Sequence, residues 1–200
     1  MKVITTSLQM SQRPAVAPRP VPDGLRIELA HGMTPEYGRF LYGLVGGNWN
    51  WTDRINWTRE QWAEVLSVAG TEFWILYGEG VPLGYIELQP QATDDATQVE
   101  IRYFGLAEQA VGRGLGAPLL EYGIARAWEL PSRYGLPDAQ RVWVHTCSLD
   151  GPAALPNYQA RGFTVFAIVE TDENVADKPL GSWAFAGGPP SPSSEAISVE

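Results

Sequence analysis

Apolar and polar positions along this chain follow two periods. Short runs with a period near two predict strands at 26–29, 73–77, 82–89, 98–106, 141–146 and 163–171, because alternate side chains of a strand face opposite sides of its sheet. Runs with apolar residues three and four apart predict helices at 34–42, 59–69, 114–130 and 150–161. Local signals mark their ends. Thr34 stands as an N-cap ahead of Pro35, Thr58-Arg59-Glu60-Gln61 is a capping-box pattern, and Gly70 and Gly162 are stops. Gly78-Glu79-Gly80 reads as a hairpin turn, and 43–57, rich in Gly, Asn and Trp, as an ordered loop. Residues 183–186 are expected to add a last strand. Three strands in succession before the long helix break any uniform βαβ repeat. The order predicts an α/β (α+β) domain: a mixed, mostly antiparallel central sheet flanked by about four helices.

The ends lack this patterning. Residues 1–22 carry Pro14, Pro18, Pro20 and Pro22 with few large apolar side chains, and are expected to be a flexible arm. Residues 187–200, with Gly-Gly-Pro-Pro and Ser-Pro-Ser-Ser, are expected to be a disordered tail. One folded domain over 23–186 remains. Composition narrows its class. At 44% hydrophobic and 18% charged residues the chain is ordinary globular material, and no apolar run is long enough to span a bilayer. Its one cysteine, Cys147, excludes an intramolecular disulfide framework and zinc sites built on paired thiolates. His31 and His145 lack partners at metal-ligand spacing, so no metal is expected. A net charge of −9 argues against a phosphate-backbone partner such as nucleic acid. With no apolar leader at its start and a single thiol, a cytoplasmic protein is expected.

The sharpest chemical feature is Val111-Gly112-Arg113-Gly114-Leu115-Gly116-Ala117, between a strand and a helix. Glycines there let successive backbone N–H groups face one concavity, and the helix adds its positive end. The result suits a phosphate or pyrophosphate, with Arg113 able to add charge. A Walker A loop needs Gly-Lys-Ser/Thr, which is absent. Gly112-x-Gly114-x-x-Ala117 fits a dinucleotide fingerprint, but the next strand ends Trp143-Val144-His145-Thr146 with no acid. Glycines that merely make a turn are the bland alternative.

This loop with Leu119-Leu120 on its helix resembles the acyl-CoA-binding segment of the GNAT superfamily of N-acetyltransferases. Downstream, Tyr158-Gln159-Ala160-Arg161-Gly162-Phe163 is similar to the motif that ends that family's last conserved helix. Residues 100–106 and 145–150 resemble one bacterial branch of it. Val111 departs from the family's usual Arg or Gln, and Gly151 from a frequent Asn. Gln109-x-x-Gly112-x-Gly114 is a second register; Gly114 and Gly116 are preferred because Leu119-Leu120 then falls correctly.

The resemblance implies acetyl transfer from acetyl-CoA to a primary amine of a small molecule by direct attack, without a covalent enzyme intermediate. Backbone groups of Leu106 and Ala107 would hold the pantetheine and polarise the carbonyl, and Val111, Gly112, Arg113, Gly114, Leu115, Gly116 and Ala117 the pyrophosphate. Tyr158 stands at the position of the family's general acid and Glu100 at that of a catalytic glutamate, with Glu87 as the other candidate base. A desolvated Glu100 would have a raised pKa. On the acceptor side, Trp49 and Trp51 beside Asp53 could hold a cationic amine, and Arg54 a carboxylate. The alternative is an aromatic cluster that tacks the loop to the sheet. His145 and Cys147 share a strand face, which leaves a thiol dyad conceivable. A catalytically silent CoA-binding module and a protein-acetylating enzyme are the other functions considered. Relatives in that family commonly pair through their last strands, so the resemblance also implies a homodimer, and no membrane partner is expected.

Overall fold

The computed structural model describes residues 1–175 and 179–182. Its strands are β1 (Lys2–Met10), β2 (Leu25–Leu29), β3 (Glu72–Gly78), β4 (Val81–Ala92), β5 (Thr97–Leu106), β6 (Ala139–Cys147) and β7 (Thr164–Asp172). Its helices are α1 (Pro35–Gly46), α2 (Arg59–Leu66), α3 (Gly116–Tyr134) and α4 (Ala154–Gln159). Among the described residues the strands form one sheet of order β2-β3-β4-β5-β6-β1-β7. Only β5 and β6 run parallel; every other neighbouring pair is antiparallel. The mixed, mostly antiparallel sheet with about four helices is the architecture expected.

Caps form as the sequence indicates. The Thr34 hydroxyl accepts from the Tyr37 N–H, and Thr58 and Gln61 complete a capping box. One helix is longer than its pattern. α1 runs on through Gly43 to Gly46, because its glycines are needed for packing rather than turning. A Cβ on Gly38 would lie 3.1 Å from the Trp62 ring, and one on Gly46 would collide with Trp51. α3 covers one face of β4, β5 and β6, burying Leu119, Leu120, Ile124, Ala127 and Leu130 against Ile86, Leu88, Val99 and Ile101. α1 and α2 cover the other face of β4 and β5 through Leu41, Val45, Tyr42 and Trp62.

The flexible arm expected over 1–22 is not what the structure contains. Lys2–Met10 is a strand between β6 and β7, with Leu8 and Val3 at 0% and 1% exposure. Val3, Ile4, Thr5 and Thr6 are β-formers whose signal is masked by the prolines that follow. Those prolines belong to a connection that runs along α3, where Arg13 meets Glu129 at 2.6 Å and Arg19 grips Glu121 at 2.9 and 2.5 Å. The expected strand at 183–186 and tail at 187–200 lie outside the described residues.

Candidate active site

β5 and β6 pair from Thr97↔Ala139 to Ile101↔Val144 and then part. β5 continues beside β4 alone to Leu106↔Gly84, and β6 beside β1 alone to Thr5↔Cys147. The facing edges of 102–106 and 145–147 thus bound a wedge. A bulge sits at its vertex. Glu87 pairs with Tyr103 and Leu88 with Ile101, so Arg102 is the extra residue. The bulge turns Glu100, Arg102 and Tyr103 away from α3, toward the α1–α2 side.

The glycine loop closes one side of the wedge. Gly112 and Gly114 take φ of 80° and 73°, a region that favours glycine, and no atom lies within 4 Å of where either Cβ would be. Leu115, 2% exposed, anchors the loop in the core, and α3 starts at Gly116. A Cβ on Gly116 would sit 3.8 Å from Leu106 and 3.9 Å from Asn157 of α4. The end of β5, the N-terminus of α3 and α4 therefore meet at one point. The first helical N–H groups there have no partners within the helix. This open cradle of backbone donors suits an anion such as a pyrophosphate. Ala107 is buried, and Val111 and Arg113 are exposed on the loop.

Tyr158 projects from α4 into the core, edge-on to Phe104 and Phe163. Burial, together with the Asp150 charge, pushes its phenol well above the ordinary tyrosine value. Glu100 has a side chain only 2% exposed. Its carboxylate accepts from Arg102 at 3.0 Å and Gln91 at 3.3 Å, and faces His145 Nδ1 at 3.5 Å. Although burial pushes this carboxyl up, His145 and Arg102 outweigh it and hold it below the usual value, contrary to the expected rise.

The acceptor candidates divide. Arg54 and Glu87 meet each other: both guanidinium NH₂ groups bond the Glu87 oxygens, at 2.8 and 2.9 Å, with neither side chain exposed. The Arg54 guanidinium lies 4.4–5.2 Å from the ring centres of Tyr103, Trp57 and Trp62. Arg54 is therefore not presented to an acceptor carboxylate, and Glu87, raised by full burial against the pull of Arg54, is not presented to an amine. Trp51 packs among Tyr42, Tyr85 and Tyr103, which is the cluster alternative. Trp49 lies elsewhere: a Cβ on Gly151 would be 3.0 Å from its ring. Its neighbour Asn48 donates to Glu108 at 3.1 Å, so 48–49 bridge from one bank of the wedge to the other. The pairing of Glu100 with Arg102, two residues on, is readable from the strand pattern; side chains that sequence reasoning missed are Gln91 and Tyr103, and His145 as a neighbour of Glu100.

Cys147 does not form a dyad. Burial and Asp150 raise its thiol, and His145 Nδ1 points to Glu100. Among the described residues no His, Cys, Asp or Glu cluster could hold a metal ion, and no helix is long and apolar enough to cross a membrane.

Residues 31–163 match the model of the acetyltransferase (GNAT) family. The chain belongs to this family. Solved GNAT-fold structures superpose at low identity. One is a GCN5-related N-acetyltransferase from Sphaerobacter thermophilus, with 17% identity, TM-score 0.53, and coverage of 84% of this chain and 49% of that one. Another is an aminoglycoside acetyltransferase from an uncultured soil metagenomic sample, with 18% identity, TM-score 0.54, and coverage of 76% and 99%. A tandem GNAT protein from the clavulanic acid biosynthesis pathway matches at 14% identity and TM-score 0.53, covering 86% and 54%. This chain spans about half the length of the first and third of these. No curated protein matches it.

Proposed function

We propose that this protein is a cytoplasmic N-acetyltransferase that moves an acetyl group from acetyl-CoA to a primary amine of a small molecule. The carrying observation is the junction at Gly116, where an open loop of backbone donors on α3 meets the end of the β5–β6 wedge. Backbone groups of 112–117 hold the pyrophosphate, since the expected Val111 N–H is taken by the Glu108 carbonyl, and those of Leu106 align the pantetheine and polarise the acyl carbonyl, since the expected Ala107 N–H already donates to the Leu83 carbonyl at 2.9 Å. Bound acetyl-CoA supplies an activated acyl group. Tyr158, kept protonated by burial, donates toward the departing sulfur. Glu100 stands beside the vertex on the acceptor side, where an amine must lose its proton. Trp49, beside Gly151, shapes the wall that the acceptor meets, while Trp51 packs the loop onto the sheet. Among the described strands β7 has one neighbour, β1, and its exposed Val165, Phe166, Ile168 and Val169 support a homodimer.

Calorimetry with acetyl-CoA, CoA and NADH tests the reading. Micromolar binding of acetyl-CoA without binding of NADH is expected. Binding of neither CoA species overturns it, and binding with no transfer to any amine leaves a silent CoA-binding module.

A further inference from the structure

The site holds a histidine that the roles above leave unused. His145 is the first residue of β6 beyond the last pair with β5, Ile101↔Val144, so it stands at the vertex of the wedge. It shares a face with Trp143, which is paired with Glu100. Its ring leans on Trp143 at 6.2 Å, and its backbone is registered against Ser7 of β1. The side chain is 46% exposed, whereas that of Glu100 is 2% exposed.

We infer that His145 is the group that takes the proton from the acceptor amine, and that Glu100 is a positioning residue holding its imidazole. The assignment rests on the acetyltransferase reading above and names the base within it. Glu100 is poorly suited to that task itself. Its oxygens already face Arg102, Gln91 and His145, and it has almost no open surface. Those same neighbours keep its proton affinity low. Nδ1 of His145 faces the carboxylate, so Nε2 at the far end of the ring is the lone pair left for substrate. The charged and titratable groups around the ring are Glu100 and Arg102 from β5 and Cys147 from its own strand face. Ser7 of β1 adds none. Arg141 is engaged by Gln9, and Asp150 by the Thr146 hydroxyl and the Cys147 N–H.

The protons balance. His145 accepts one from the acceptor ammonium and releases it to water. The freed amine forms its N–C bond to the acyl carbon as the C–S bond breaks, and its second proton reaches the sulfur, with Tyr158 as donor. Ammonium and thioester become amide, thiol and one released proton. An arrangement of this kind contributes about 10²–10⁴-fold.

The test uses the full chain, with H145Q and E100Q, and two probe amines. 2-Phenylethylamine is an ammonium ion at neutral pH and needs the base; methoxyamine is already neutral. H145Q is expected to bind acetyl-CoA with unchanged affinity by calorimetry. It should lose at least about tenfold more kcat/KM with 2-phenylethylamine than with methoxyamine. Equal losses with both amines, or no loss with either, overturn the assignment. A second readout needs no turnover. Carbethoxylation by diethylpyrocarbonate, followed by mass spectrometry, reports the neutral imidazole at each of the two histidines, with exposed His31 as the internal control. In E100Q, which removes the carboxylate that Nδ1 faces, the rate of carbethoxylation of His145 relative to His31 should change. An unchanged ratio breaks the link between Glu100 and His145. Failure of the acetyltransferase reading is seen separately, as wild-type protein that does not bind acetyl-CoA or transfers to neither amine, and the assignment falls with it.

Discussion

Glu87→Ala should be among the most damaging single substitutions in this chain. It leaves the Arg54 guanidinium, wholly buried, without its counter-charge and without two hydrogen bonds of 2.8 and 2.9 Å. Removing one partner of such a pair costs about 3–5 kcal/mol. For a chain of this size each kcal/mol lowers Tm by about 2–4 °C, so a fall of roughly 6–20 °C is expected. The aromatic rings cannot compensate: desolvated cation–π contacts supply about 2 kcal/mol, and Trp57, Trp62 and Tyr103 already provide them. The double variant R54M/E87L has a different outcome. It removes both charges, fills similar volume and sets a thioether against the same rings. Its stability should return to within about 1 kcal/mol of wild type or exceed it. Urea and thermal denaturation followed by circular dichroism measure both. A loss below about 1 kcal/mol in E87A, or a double variant no better than the single, would refute the view that the pair is held together by mutual burial.

Three further outcomes are expected. Tyr158→Phe should lower kcat by about 100-fold with acetyl-CoA affinity unchanged, since only the phenolic proton is lost; steady-state kinetics and calorimetry check this. Gly114→Val, which forces a β-branched residue to a φ of 73° on an exposed loop, should abolish acetyl-CoA binding by calorimetry while the circular dichroism spectrum stays native. Glu100 is held below its ordinary 4.5 in the folded state, so it stabilises the fold above that pH, and the contribution is lost as pH falls through its folded value. E100Q should therefore lose less stability than wild type on acidification below that range, as read from urea midpoints; an identical acid dependence contradicts it.

Much of the architecture was legible from the chain. Thr34, Thr58 and Gln61 announce their helices because capping is local chemistry. The glycine loop was readable for the same reason: positive φ at Gly112 and Gly114 requires that residue type. What was hidden depends on contacts between distant segments. α1 extends to Gly46 because Trp51 and Trp62 need smooth surface, which no helix pattern reveals. Arg54 and Glu87 read as exposed site residues until the fold brings them together. The bulge at Arg102 and the approach of His145 to Glu100 need two strands in register. β1 was missed because proline content over 11–22 dominated a stretch whose first residues, Val3 to Thr6, favour a strand by type but do not alternate across the irregularity at Ser7 and Leu8.

That strand makes the order of assembly awkward. β1 precedes every other element, yet its partners are near the other end: Ile4 donates to the Ser148 hydroxyl across 144 residues. Loop closure over such a span must be met before any contact rewards it, which slows folding. Until β6 exists, β1 offers two unpaired edges with Leu8 and Met10 uncovered, and β7 has no other neighbour among the described strands. Of the described strands β1 is thus the one left longest without a partner, and the outer third of the sheet closes as a late step.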